Sequence, residues 1–264
     1  MSDEGERARE FGVIIPARYA SKRLPGKPLI DLAGKPMVVR VLELAAQAGA
    51  AFAMVATDDE RIVEVVTAAG GEAMITDPEH ETGTDRLAEV ARRLHLEPDL
   101  VVVNLQGDEP ALPPELIQRV ADALHDDPEA SMATLATPLR QRKELFDPNV
   151  VKVALNQAGR AMYFSRAPIP WLRDDFADPA ARTATTPLPE DTFLRHIGLY
   201  AYRVSTLLSL SQIRPAGVEQ AESLEQLRAL WLGLQIQVAI VPELPAASVD
   251  TPGDVTRVKK LFET

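Results

Sequence analysis

Four apolar runs punctuate the first 106 residues: FGVII at 11–15, AFAMVAT at 51–57, EAMIT at 72–76 and LVVVNLQ at 100–106. A segment of helical period follows each of them. Positions 37, 38, 41, 42 and 45 form one apolar side of a helix over 36–47, with Pro36 suited to its first turn and Gly49 to its stop. Asp58 is placed to cap a helix running through Val66. Further helices are expected over 84–94 and 114–124. Alternation of this kind builds a parallel, doubly wound α/β sheet with right-handed crossovers.

The second half changes rhythm. Apolar runs at 131–139, 150–155, 161–165 and 197–204 follow one another without long helices between them, and Asn156–Gly159 suits a hairpin turn. A helix over 219–231, a strand over 235–241 and a last helix from Pro252 complete the chain. The expectation is a mostly parallel, mixed sheet with an antiparallel insertion, in a single domain spanning 11–262. A polar leader occupies 1–10, and a Pro/Ala/Thr-rich connection at 176–191 reads as a mobile loop.

Ligands of open α/β sheets bind beyond the carboxyl ends of the strands, and three motifs fall there. The first is PARYASKRLPGKPL (16–29), which carries Arg18, Lys22, Arg23 and Lys27 and no acid, in a chain of net charge −11. Cations concentrated in one place make a local positive pocket, so this loop reads as an anion site, with a solvated basic loop as its alternative. It has neither the P-loop nor the dinucleotide glycine pattern, so backbone N–H groups with Arg18, Arg23 and Lys27 must do the binding. The second is QGDEP (106–110): Asp108 emerges at the ligand edge, either as a carboxylate for a hard cation such as Mg²⁺ or as part of a plain turn. The third is SVDTPGDV (248–255), where Thr251 and Asp254 suffice to cap the last helix. Asp250 is left over, as a second metal ligand or as loop surface.

Two clusters follow from periodicity. His196, Gly198, Tyr200 and Tyr202 share one strand face, which suits a polyhydroxyl ligand or a half-buried aromatic surface. Glu222, Glu225 and Gln226 share one side of the 219–231 helix, whose ordinary reading is a solvated face.

The acidic balance argues against a general nucleic-acid grip. The absence of cysteine excludes disulfides, thiolate nucleophiles and thiolate metal sites. The leader has no apolar core, and no apolar run approaches the ~18 residues that span a bilayer. A cytoplasmic protein without membrane partners is expected.

Seven strings occur in order from about 11 to 262: VIIPARYASKRLPGKPL, HETGTDRLAEV, VVNLQGDEP, YFSRAPIPW, FLRHIGLYAYR, ESLEQLRALW and VDTPGDV. Together they closely resemble the 3-deoxy-manno-octulosonate (Kdo) cytidylyltransferase family. The resemblance implies a nucleotide-diphospho-sugar transferase type of fold and the reaction CTP + Kdo → CMP-Kdo + pyrophosphate with Mg²⁺, in lipopolysaccharide synthesis. It also implies a homodimer. Carried over by position, Arg18 and Lys27 are the triphosphate-binding and catalytic cations, with Ser21, Lys22 and Arg23 in the same loop. Arg86 lies in the segment beside the cytosine, and Asp108 and Asp250 hold the metal. Gln106, Arg166, His196, Tyr200, Glu225 and Gln226 fall in segments that bind the sugar acid, with Gln106 also near the nucleotide. The rivals are a cytidylyltransferase for 8-amino-Kdo or a sialic acid, a nucleotide-sugar-dependent glycosyltransferase, and a silent nucleotide-binding regulator. The second lacks its usual Asp-x-Asp after 100–106, and intact Lys27, Asp108 and Asp250 argue against the third.

Overall fold

The computed structural model describes residues 9–20, 24–178, 180, 186–190, 192–246 and 248–263. In chain order the strands are β1 (Phe11–Ala17), β2 (Asp31–Leu32), β3 (Lys35–Pro36), β4 (Phe52–Thr57), β5 (Glu72–Ile75), β6 (Val101–Asn104), β7 (Met132–Pro138), β8 (Lys152–Leu155), β9 (Ala161–Ser165), β10 (Leu194–Arg203) and β11 (Ile236–Ile240). The helices are α1 (Met37–Gln47), α2 (Glu60–Ala68), α3 (Gly83–Arg93), α4 (Pro114–His125), α5 (Arg142–Leu145), α6 (Val204–Leu210), α7 (Gly217–Glu222), α8 (Gln226–Trp231) and α9 (Pro252–Leu261).

The described chain forms two compact units. One comprises the residues up to His125, Leu199–Gln212 and those from Pro245; the other comprises Asp126–Gly198 and Ile213–Leu244.

In the first unit β1 pairs in parallel with β4 and β6, β4 pairs in parallel with β5, and the end of β10 runs antiparallel to β6. Successive side chains of a strand point to opposite faces, so a strand buried at every position is covered on both. The whole of β6 is buried and so is nearly all of β1. Full burial of one such Val or Ile contributes roughly 1.5–3 kcal/mol. A smaller cluster of Leu32, Met37, Val249 and Val258 roots the last helix beside the basic loop.

In the second unit β7 and β11 are parallel, while β8 and β9 form an antiparallel hairpin and the start of β10 lies antiparallel to β8. Asn156 makes the hairpin turn as expected: its carbonyl accepts the Gly159 N–H at 3.0 Å and its side chain accepts the Ala158 N–H at 2.9 Å. Leu139, Leu145, Val150, Phe176, Leu188 and Phe193 build a local core. The expected fold class, a mixed sheet with an antiparallel insertion, is the one observed.

Two local expectations are corrected. Asp59, not Asp58, caps the second helix, accepting the Arg61 N–H at 3.0 Å. An N-cap must sit one residue outside the first helical turn, and here that turn begins at Glu60. The helix expected over 219–231 is two helices, broken where Ser223 takes a left-handed backbone (φ 52°). Serine forms helix poorly because its hydroxyl competes for nearby main-chain groups. The break means that Glu222 ends one helix and Glu225 precedes the next.

Candidate active site

The first unit brings three distant residues to one point. Lys27 Nζ donates to Asp108 Oδ2 at 2.7 Å and to Asp250 Oδ1 at 3.1 Å, across sequence separations of 81 and 223 residues. Each partner is placed by its own local device. Lys27 opens a short 3₁₀ turn whose preceding residue, Gly26, sits at φ +67°, a conformation that favours glycine. The loop closes on itself through the Gly26 N–H to the Tyr19 carbonyl, 3.2 Å. Asp108 follows Gly107, where a Cβ would come within 2.9 Å of the Pro16 carbonyl oxygen, so glycine lets this turn lie against the end of β1. Asp250 precedes the capping box of α9, in which Thr251 accepts the Asp254 N–H and Asp254 accepts the Thr251 N–H. Asp254 also accepts the Asp250 N–H at 3.2 Å, and the Thr251 hydroxyl and Arg257 hold its carboxyl well below the usual carboxylate range. The Val249 N–H donates to the Asp108 carbonyl at 2.8 Å, tying the two acidic segments together.

Gln106, Lys27 and Asp108 line a cavity of about 170 Å³ with Pro16 and Ala17. Gln106 donates from Nε2 to Asn104 Oδ1 at 3.2 Å. Next to Asp108, burial and then the neighbouring carboxylate push Glu109 up to about 7.

Arg86 is wholly buried at the start of α3, whose N-terminus is fixed by a Thr82–Asp85 capping box. It donates to Thr76 Oγ1, and its Nη2 lies 3.5 Å from Asp58 Oδ2. Burial lowers its pKa, with the Asp58 charge opposing. Asp58 in turn accepts the Tyr19 N–H at 3.2 Å, so it braces the basic loop against Arg86. Arg18 donates to the His80 carbonyl. Ser21, Lys22 and Arg23 lie outside the described residues. Tyr200 also belongs to this unit; it pairs with Asn104 across the sheet, its ring 6.0 Å from that of Tyr202.

The second unit holds the other predicted residues. His196 Nε2 is 3.0 Å from Thr134 Oγ1, and its ring meets Phe164 edge-on at 4.9 Å. Burial lowers its pKa to about 3, so the imidazole is neutral. Arg166 donates from Nε to the Glu222 carbonyl (2.6 Å), from Nη1 to that of Pro148 (2.9 Å) and from Nη2 to that of Ser223 (3.4 Å). Glu225 precedes α8, its Oε1 4.0 Å from Arg228 Nη2. Gln226 is buried, and its Nε2 has no hydrogen-bond partner among the described residues. Their helix is rooted by Arg228, which binds Glu219 through two bonds of 2.6 and 2.9 Å.

Sequence reasoning missed Asp58, read only as a cap, and Lys152, which looked like one position of an apolar strand. For Glu222 the polar signal was visible, but the helix break that turns it toward Ser165 was not. The only signal at Lys152 was a lysine inside an apolar run.

The residues of the first unit fit Mg²⁺ by the chemistry of their donors: two carboxylates already share one cation. Among the described residues no cluster of three His, Cys, Asp or Glu side chains could hold a metal. A Mg²⁺ ion held by one or two carboxylates plus substrate phosphates needs no third side chain.

Residues 12–236 match the cytidylyltransferase family. The 3-deoxy-manno-octulosonate cytidylyltransferase of Halorhodospira halophila is 51% identical over 256 residues, covering 96% of this chain and 97% of its own. That of Hahella chejuensis is 52% identical over 252 residues, with the same coverage. A solved structure of CMP:2-keto-3-deoxy-manno-octonic acid synthetase complexed with CTP superposes with a TM-score of 0.84 at 42% identity, covering 96% of this chain and 98% of that one.

Proposed function

The chain belongs to the 3-deoxy-manno-octulosonate cytidylyltransferase family, and from that premise we propose that it transfers CMP from CTP to Kdo, releasing pyrophosphate and supplying CMP-Kdo to lipopolysaccharide biosynthesis. The observation that carries the nucleotidyl-transfer reading is the convergence of Lys27, Asp108 and Asp250.

Both substrates are anions, so positioning and charge neutralisation dominate the barrier. An ammonium has three donors. Lys27 gives two to Asp108 and Asp250, which leaves one for a phosphate oxygen on the departing pyrophosphate. By the family resemblance, Arg18 joins Lys27 in binding the triphosphate, and Ser21, Lys22 and Arg23 are assigned to the same role by their place in the sequence. Arg86, with Gln106, addresses the nucleotide. Asp108 and Asp250 hold Mg²⁺, which when bound supplies Lewis-acid charge at the phosphoryl oxygens.

Arg166 is the anchor for the Kdo carboxylate. Of its five N–H donors, three go to main-chain carbonyls, and one remains on each terminal nitrogen, the number a bidentate carboxylate needs. His196, Glu225 and Gln226 are assigned to the sugar hydroxyls by the family resemblance, and so are Tyr200 and Gln106. His196, held neutral by burial, serves as a hydrogen-bonding group and not as a base.

A homodimer follows from the family, and the second unit leaves an apolar surface for a second copy. Met162, Trp231 and Ile240 are 64%, 62% and 50% exposed, on elements that touch one another. Sedimentation of Trp231→Glu against the parent tests this: an unshifted dimer overturns the surface. No helix among the described residues is long and apolar enough to cross a membrane, and a CTP-consuming reaction belongs in the cytoplasm.

The deciding experiment is pyrophosphate release from CTP with Kdo, 8-amino-Kdo or a sialic acid as acceptor. Kdo is expected to give the highest kcat/KM. A preference for 8-amino-Kdo keeps the chemistry and moves the substrate; no release with any acid overturns the proposal.

A further inference from the structure

Lys152 is fully buried. An ammonium taken out of water is strongly destabilising unless its donors are met. Lys152 meets all three with main-chain carbonyls: Asp147 at 3.0 Å, Val150 at 2.6 Å and Arg166 at 2.5 Å. Among the described residues no carboxylate pairs with it directly. A lysine of this kind does no chemistry of its own. What it fixes is geometry, the turn at 147–150 against the end of β9.

Arg166 closes the same ring from the other side, since its Nη1 donates to Pro148 within that turn at 2.9 Å. Its main chain lies just past the ladder of β9, so neighbouring strands do not hold it. Side chains do so instead. Glu222 Oε2 accepts the Arg166 N–H at 2.9 Å, while its Oε1 accepts the Ser165 hydroxyl at 2.6 Å. Lys152 takes the Arg166 carbonyl. Both main-chain polar groups of Arg166 are thus held by ionisable side chains, one from β8 and one from the end of α7. In cross-strand register Lys152 faces Ser165 on β9 and Arg195 on β10.

We infer that Lys152 is a positioning residue for the sugar acid: with Glu222 it clamps the main chain of Arg166, so that the two guanidinium donors not taken by carbonyls stay fixed for the substrate carboxylate. This rests on the reading of Arg166 as the carboxylate anchor. Proton loss would loosen the clamp, because a neutral amine offers two donors to three carbonyls and turns its lone pair toward the third. The groups around Lys152 set where that happens. Burial lowers its pKa to about 8, Asp147 and Glu222 oppose this, and Arg166 adds to it. Arg195, the cross-strand neighbour, is paired with Glu144 at 3.2 Å.

Steady-state kinetics test the clamp, with Kdo and CTP varied separately, on the parent, Lys152→Met, Arg166→Lys and the double variant. Lys152→Met should raise KM for Kdo by about tenfold, the size of one lost charge-assisted contact, with KM for CTP within about twofold. The double variant should be no worse than Arg166→Lys alone, since both changes remove one interaction. In the parent, the ratio of the Kdo to the CTP constant should climb above pH 8, and in Lys152→Met it should be flat. A normal Kdo constant in Lys152→Met beside a raised one in Arg166→Lys overturns the clamp alone. Equal rises in both constants, or additive effects in the double variant, overturn it as well, because they mean general loosening. An unchanged Kdo constant in Arg166→Lys removes the anchor itself and the clamp with it. If Lys152→Met does not fold, Glu222→Gln reads the same clamp from the other side and should raise the Kdo constant selectively; the parent's pH profile needs no variant.

Discussion

Two lysines, one in each unit, have their charge met in opposite ways. In the first, Lys27 lies between two carboxylates whose side chains are 31% and 34% exposed. Each of those contacts is between charged side chains, and the two carboxylates are partly open to water, so phosphates and a metal ion can compete for them. In the second, Lys152 spends all three donors and Arg166 three of its five on main-chain carbonyls, which cannot leave or change charge. The first arrangement can rearrange when charge moves, and the second holds a shape. The division of labour that follows is sharp: changes at Lys27, Asp108 and Asp250 should strike turnover, and changes at Lys152 and Arg166 should strike affinity for the sugar acid.

The largest effect is expected at the paired carboxylates. Asp108→Ala and Asp250→Ala should each lower kcat by on the order of 10²-fold or more, and excess EDTA should abolish pyrophosphate release in the parent. Full activity in EDTA, or a near-normal Asp250→Ala enzyme, breaks the first half of the comparison. Lys27→Met comes next. It should fold with an unchanged Tm, because its loop lies outside the buried strands, and lose about 10²-fold in kcat. A lowered Tm with retained specific activity would make Lys27 a structural residue and the two units alike.

Smaller and of another kind is the effect of Arg166→Lys. Lysine cannot reproduce a planar fork, so KM for Kdo should rise about tenfold with KM for CTP unchanged. His196→Ala should act in the same direction by a factor of a few, the worth of one neutral hydrogen bond of about 0.5–1.5 kcal/mol. A defect confined to CTP in either variant reverses the assignment of the units.

The smallest effect concerns pH. The folded pKa of His196 is lowered to about 3 from the ordinary 6.5, so between these values the unfolded chain binds the extra proton. Stability therefore falls as pH drops from about 6.5 toward 3, and this group contributes no slope above that window. His196→Gln, which cannot titrate, should flatten part of that slope. Urea melts at pH 4, 5 and 6 read it directly, and parallel curves for variant and parent would mean that the imidazole is not held neutral.

Much of the site was legible in local pattern. Arg18 and Lys27 stood out because four cations without an acid follow a buried strand in an acidic chain, and Asp108 because a buried strand ended on it. Asp250 stood out only by elimination, once Thr251 and Asp254 were assigned to the cap. The motif strings placed Arg86, Arg166 and the residues around 196–226. No pattern in the sequence showed that Arg166 is gripped by carbonyls on three sides, or that the 219–231 helix breaks at Ser223 and turns Glu222 toward Ser165.

By itself, then, the sequence determined what depends on neighbours along the chain: the strand–helix alternation, the cap at 251–254, the hairpin turn at 156–159 and the excess of cations in one loop. Period, propensity and capping act over a few residues, and they survive without a fold. Only the tertiary structure decided which charges meet. Lys27 reaches Asp250 across 223 residues, and the carbonyls around Lys152 come from a turn and a strand end that share no local motif. Coulomb and hydrogen-bond energies depend on distance in space, and strand order and register set that distance.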